Sequence, residues 1–299
     1  MENYLVAMGV FAGLYALMAL GLNVIWGLAG MVNLGLVGFF AIGAYASALL
    51  TVRLHWAVPF GLGAGIVIAA AAGIVVALIT ARLQGDYLAI VTLGFAEVIR
   101  LIAGNEIWLT NGTDGISAIP QPFRGVLSPA AFNLAALALV WVAVAGVGAL
   151  FARLSGAPFG RVLRAIREDE TVASVAGKRV LWFKLRAFAL GAGVLGLAGG
   201  LYAHYVGYIA PDSFSALVTI YIVLALTAGG TGNMGGAVIG AVLVVVLTEG
   251  TRFMGQFLTA LSPVQIASLR EGLIGMLLIV VLHWRPQGIF AERAKVYGL

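Results

Sequence analysis

The sequence predicts an all-α polytopic membrane protein of about nine transmembrane helices, within a range of eight to ten, some of them broken or re-entrant. Three observations point there. Hydrophobic residues make up 62% of the 299 and charged residues only 10%, where a soluble domain is about half apolar and about a quarter charged. Apolar runs recur at lengths close to the roughly 20 residues that cross a hydrocarbon core. Runs such as AGIVIAAAAGIVVALITA (64–81) do not alternate in polarity, which excludes the strand pattern of a membrane β-barrel.

Taken in order, spans are expected near 4–26, 35–52, 58–80, 86–103, 132–154, 186–207, 216–229, 236–255 and 269–284. The first run follows Glu2, with no Lys or Arg before Arg53. It lacks the basic flank of a cleaved signal and is expected to be retained as a span. The runs 86–103 and 216–229 are short or interrupted and read as tilted, broken or re-entrant.

Basic residues set the orientation, because basic loops stay on the cytoplasmic side. Eight of the 17 lie between Arg153 and Arg186, and Arg285, Arg293 and Lys295 crowd the C-terminus. Four spans separate these two groups, so both fall on one side, and Arg82 joins them. Arg53, Arg100, Arg124, Arg252 and Arg270 fall at or near the other face. The reading places the N-terminus outside, and puts a cytoplasmic loop at 155–185 and a cytoplasmic tail at 285–299.

Inside that loop, GRVLRAIREDETVASVAGKRV (160–180) holds five basic and three acidic side chains. At 100° per residue, Val162, Ala165, Ile166, Ala173, Ala176 and Val180 share one face, with Arg161, Arg164, Arg167 and Glu168 opposite. An alanine-rich face suits shallow packing into a groove on another protein. A plain solvated, topogenic loop and a helix lying on lipid are the competing readings.

Glycine-rich stretches mark three places. Ala192, Gly196, Gly200 and His204 form a stripe at four-residue spacing, which lets helices approach closely in lipid. His204 is therefore expected against another helix, either in an interhelical hydrogen bond or in a transport path. GLAGMVNLGLVGFFAIGA (27–44) and AGGTGNMGGAVIGA (228–241) each hold an asparagine among glycines, Asn33 and Asn233. Irregular backbone at membrane depth survives only when buried in protein or lining water, and broken helices of this kind occur in transporters. Asn23 and Asn33 are thus candidates for a pathway or interhelical role. The same holds for the spaced pairs Glu97/Arg100 and Glu249/Arg252, each near the outer end of its span and either a self-neutralising pair at the interface or the mouth of a path.

Other chemistry has no basis here. There is no G-x-x-x-x-G-K-[ST] and no H-E-x-x-H. Cysteine is absent, and His55, His204 and His283 are scattered, so neither a thiolate nor a histidine metal site is expected. The glycine-flanked Ser117 has no evident histidine partner. Few carboxylates fall at mid-span, which disfavours an ion-coupled carrier. A passive channel and a scaffold remain as alternatives, disfavoured by the docking loop.

The chain resembles the M-type permease subunits of branched-chain amino-acid ABC importers. The resembling stretches are GLNVIWGLAGMVNLGLVGFFAIGAYASALL (21–50), GDYLAIVTLGFAEVIRLI (85–102) with LTNGTDGI (109–116), the block from Gly160 through Phe214, and RPQGIF (285–290). The resemblance implies a single permease domain over 1–299 in the cytoplasmic (inner) membrane. It also implies a second homologous permease, two ATPase subunits and an external substrate-binding protein; no nucleic-acid partner is expected, because most of the basic residues behind the net charge of +5 fall where membrane topology puts them. ATP and magnesium would be used by the ATPases, leaving this chain without cofactor or catalytic residue. Loop 155–185 then aligns with the family's coupling loop. Glu168, Asp169, Glu170, Ala173 and Gly177 would be seated on an ATPase, flanked by Arg161, Arg164 and Arg167, although the glycine spacing is one residue longer than in the general permease pattern. Leucine, isoleucine and valine are the implied substrates. Related permeases serve urea, short amides or nucleosides.

Overall fold

In hydrocarbon, a backbone without water must satisfy its own polar groups, and an open segment does so only as a helix. The computed structural model describes residues 2–83, 85–125, 127–257, 263–284 and 288–290, and it is helical at every expected span. The α-helices are α1 (Glu2–Leu22), α2 (Leu36–Arg53), α3 (Val58–Ile79), α4 (Gly85–Asn105), a short α5 (Ile107–Thr110), α6 (Pro129–Gly156), α7 (Pro158–Glu168), a short α8 (Glu170–Val175), α9 (Val180–Val206), α10 (Ala216–Gly229), α11 (Met234–Phe257) and α12 (Pro263–Trp284). Among the described residues, seven segments are long and apolar enough to cross a membrane, and Met234–Gly250 is a shorter apolar helix. With α12 they follow the expected order of nine. The only strand-like feature among the described residues is one antiparallel bridge, Ile116 to Ile209.

Helix ends follow local chemistry. Ser128 caps α6 by accepting from the Ala131 nitrogen, with Pro129 in the first turn, where its missing N–H costs nothing. The sixth span starts at Val180 rather than 186, because Lys184 finds an ionic partner and is no barrier to the helix. α1 does not stop at Leu22 but widens into a π-helix over Asn23–Leu28. Such turns are uncommon and cluster at functional places.

α9 is the hub, packed on α2, α3 and α1. A Cβ on Gly43 of α2 would overlap the backbone of Gly196 on α9, so only glycine allows this approach. The Ala192–Gly196–Gly200–His204 stripe faces α3 and α2, with Gly196 against Gly65 and Ala69 and Gly200 against Leu62 and Ser47. On the other side α1 packs on α6 and α11, and α11 on α10 and α12. α4 stands apart. Its main neighbour is α2, and Tyr87, Ile90, Val98 and Leu101 are open to the outside.

The helices run between two ends. One holds α7, α8, the α10–α11 turn and residues 288–290, where the Ile289 and Phe290 nitrogens donate to the Ala228 and Gly229 carbonyls. We call it the basic end. The opposite end holds the 106–125 loop, where Arg53 donates to the Trp108 carbonyl and Tyr208 to that of Asp114. The remainder of the expected tail 285–299, including Arg285, Arg293 and Lys295, lies outside the described residues.

Candidate functional site

Two places gather the polar residues. The first is the segment at the basic end. The sequence suggests one amphipathic stretch, but the chain breaks it at Asp169, whose Oδ1 accepts from the Thr171 and Val172 nitrogens (2.8 and 2.9 Å) and starts α8. The face expected to dock elsewhere is therefore not continuous. Leu163, Ile166 and Ala173 are buried against this chain. The apolar groups left outward are Val172 (64% exposed) and Val175 (85%), with Ala165 and Ala176 beside them.

Most of the charges here hold the segment down. Arg161 and Arg164 donate to the Gly156 and Ser155 carbonyls (3.3 and 3.0 Å) at the end of α6, where a helix presents unpaired acceptors and negative potential. Arg167 donates to the Gly27 carbonyl inside the π-helix. Glu170 pairs with Lys184 of α9 at 2.6 Å, and the lysine side chain is only 8% exposed. Lys184 escaped the sequence reading because its partner sits 14 residues away across a turn, at no local period. Glu168 is exposed, and Gly177 closes α8 at φ +76 in open space.

Arg167 leads on to Asn23. The Asn23 carboxamide oxygen accepts from the Gly232 nitrogen (2.8 Å) in the α10–α11 turn, and its nitrogen lies 3.4 Å from the Met234 sulfur. A Cβ on Gly27 would overlap that carboxamide. The basic end is therefore one connected set: α7, the π-helix and the α10–α11 turn. Asn33 accepts from Gly35 (2.8 Å) in the stretch before α2, while its Nδ2 is buried with no partner.

The second place is on α4. Glu97 and Arg100 form a bidentate pair (2.5 and 2.9 Å), and Arg100 also lies 3.9 Å from Asp212. The Glu97 and Arg100 side chains are 47% and 30% exposed, and Asp212 almost fully. Beside them, a cleft of about 400 Å³ is lined by Val37, Ile90, Leu93, Gly94, Glu97 and Phe214, among others. Near its wall, the buried Tyr45 and Thr219 hydroxyls lack partners.

The other expected residues fall elsewhere. His204 is buried, with Nδ1 2.7 Å from the Pro120 carbonyl and Nε2 2.9 Å from Ser47 Oγ. A carbonyl only accepts, so Nδ1 bears the proton and Ser47 donates to Nε2. Glu249 accepts from Tyr4 (2.5 Å) across α1 and α11. The side chain of Arg252 lies outside the described residues.

Fold and sites define a multi-pass helical membrane protein, with a charged cluster beside a largely apolar cleft on one span and a tethered amphipathic segment at one end. The family model for the permease component of the branched-chain amino acid transport system matches residues 4–282, and the chain belongs to that family. It is 35% identical to the high-affinity branched-chain amino acid transport system permease protein LivM of Salmonella typhimurium, over 92% of this chain and 67% of the relative. A probable LivM of Methanocaldococcus jannaschii is 29% identical over 94% and 91%. LivH of Escherichia coli is 28% identical over 93% and 91%. No solved structure matches the chain.

Proposed function

We propose that the chain is the membrane-spanning permease subunit of an ATP-driven importer that carries leucine, isoleucine and valine inward across the cytoplasmic membrane. In this reading residues 1–299 are one permease domain, and the basic end and the tail 285–299 are cytoplasmic. The partners are a second homologous permease, two ATPase subunits and an external binding protein. That both LivM and LivH relatives align along most of the chain supports a pair of permeases of one fold. ATP and magnesium bind on the ATPases, and this chain does no covalent chemistry.

The observation that favours coupling is the build of α7–α8. The segment presents Val172 and Val175 outward while Arg161, Arg164, Arg167 and Glu170 tie it to α6, α1 and α9. An ATPase seated on the valines moves a lever already fixed to three spans. Closure of the ATPases on ATP then shifts the balance between two packings of the spans, which requires a differential contact of this kind.

The test is reconstitution with the partners and ATP-dependent uptake of labelled leucine, comparing wild type with Val172→Glu/Val175→Glu. Both side chains are exposed, so the variant keeps its fold. We expect the ATPases to stop co-purifying and uptake to fall on the order of a hundredfold, as loss of a central apolar anchor does. Wild-type uptake in the variant removes α8 as the docking face. No leucine uptake by the wild type removes the substrate, and urea, short amides and nucleosides follow.

A further inference from the structure

We propose that Glu97, Arg100 and Asp212, with the cleft beside them, form a way station for a zwitterionic, aliphatic amino acid in the transport path. The ligand rests on the permease reading above; that the cleft holds water does not.

Depth comes first. Glu97 is the thirteenth residue of α4 and precedes Asn105 by eight. At 1.5 Å per residue it lies about 18 Å from one end of the span and about 12 Å from the other. It is therefore well inside the hydrocarbon zone, not at its edge. Yet its side chain and that of Arg100 point out of this chain, about half and a third exposed. Ionisable groups at such depth face a bundle interior or a water-filled cavity, because lipid gives them no solvation. The face of α4 that bears them must therefore meet water or protein.

The backbone alongside gives the same answer. α10 has 14 residues, about 21 Å of helix, too short for a core of roughly 30 Å. The chain is bridged at Ile209 to the end loop, and the remaining depth is crossed by a single 3-10 turn over Pro211–Phe214 that leads into α10. Pro211 stands level with Gly104, while Phe214 lines the same cleft as Leu93 and Glu97. Irregular backbone descending to that level is stable only in protein or against water. The partnerless Tyr45 and Thr219 hydroxyls lie in that region too, since the Tyr45 and Phe214 ring centroids are 5.5 Å apart and Thr219 follows the cleft residue Ala216 by one turn.

The chemistry of the lining identifies the ligand class. Two carboxylates flank one guanidinium, so the cluster carries a formal excess of one negative charge. An α-ammonium group fits against Glu97, and an α-carboxylate finds Arg100, which makes paired hydrogen bonds to planar oxyanions. The rest of the wall is Val37, Ile90, Leu93 and Phe214, with no further polar side chain, and suits a branched aliphatic side chain. Gly94, one turn from Glu97, has open space where a side chain would be. At about 400 Å³ the cleft is at the small end of ligand sites. The existing Glu97–Arg100 pair gives way to the ligand's two charges, so entry leaves no buried charge unpaired.

The chain has no cysteine, so single cysteines placed in it report without background from this subunit, read on its own band after separation from the partners. In the assembled transporter, Gly94→Cys and Glu97→Cys are treated with a membrane-impermeant cationic thiol reagent. Thiolates form and react only where water reaches. Val142→Cys on the open apolar face of α6 (71% exposed) is the lipid control. We expect labelling of the two α4 cysteines at least roughly tenfold faster than the control, and Glu97→Gln to lower leucine uptake ten- to a hundredfold with the subunits still co-purifying, the scale of one lost charged hydrogen bond. Labelling no faster than the control places this face in lipid or dry protein and overturns the proposal. Rapid labelling with wild-type uptake in Glu97→Gln overturns the way station. If wild type takes up no leucine, the ligand falls with the importer reading, and labelling still decides whether the cleft holds water.

Discussion

The α7–α8 segment and the α4 face are both charged islands in an apolar chain, yet they use charge in opposite ways. In α7–α8, Arg161, Arg164, Arg167, Asp169 and Glu170 are engaged with this chain's own helix ends, a helix cap and Lys184. What the segment offers outward includes the apolar Val172 and Val175. On α4 one apolar face, with Leu88, Ala89 and Ala96, packs inward with α2 as its main neighbour, while the charges are offered outward beside exposed apolar residues such as Val98 and Leu101. A charged loop is thus not automatically a charged docking face, and an ion pair within a span is not automatically a structural lock. The partners decide. Charges with fixed partners should govern stability, and charges left open should govern transport.

The largest expected effect tests the connected end of that contrast. Gly27→Ala puts a Cβ onto the Asn23 carboxamide and 2.6 Å from the Gly232 nitrogen. The Asn23–Gly232 hydrogen bond must break and the π-helix, where Arg167 docks, must shift. Overpacking with an unsatisfied buried amide costs about 3 kcal/mol. The apparent Tm of the purified protein should fall by several degrees. An unchanged Tm would show that the π-helix relaxes freely.

Next is the Glu170–Lys184 pair. Glu170→Ala leaves an almost buried ammonium alone, which costs about 2–3 kcal/mol, reduced by the one-third exposure of the glutamate. Lys184→Met/Glu170→Met removes both charges and should recover most of that loss. Trypsin after Lys178 and Arg179, both exposed, reads the release of α8: faster cutting in the single variant, near wild-type cutting in the double. Equal cutting in all three would mean that the pair does not anchor the segment.

A smaller effect belongs to Asp169. Asp169→Ala removes the cap of α8 and should cost about 1 kcal/mol, with Asp169→Ser restoring most of it. Hydrogen exchange of the 170–176 amides would rise severalfold in the alanine variant alone. If serine fails to rescue, the carboxylate has a role beyond capping, as seating on a partner requires.

How much of this was legible follows from the range of each signal. The spans were readable because hydropathy accumulates along each helix, and the Gly196 stripe because close packing imposes a four-residue period. The Glu97–Arg100 pair was visible as neighbours three apart on one helix. Asp212 was not, since it reaches Arg100 from 112 residues away. The single apolar face of the wheel is split for a definite reason: a 100° wheel assumes one helix, and Asp169 restarts the count, so Ile166 and Ala173 turn inward with Leu163. The Asn-then-glycine pattern marked irregular backbone near Asn33 but could not show that α1 first widens into a π-helix.

The smallest stability effect is the sharpest test of the contrast. Glu97→Gln replaces an open carboxylate with an amide of the same shape, and an exposed ion pair contributes about 0–1 kcal/mol. The apparent Tm should therefore move little, less than for any variant above. Leucine uptake should nevertheless fall further in Glu97→Gln than in Asp169→Ser, whose cap is intact. If instead Tm falls as far as in Glu170→Ala, Glu97 is a structural lock after all. The two islands would then do the same work, one at each level of the membrane, and the open cleft on α4 would owe its charge to packing.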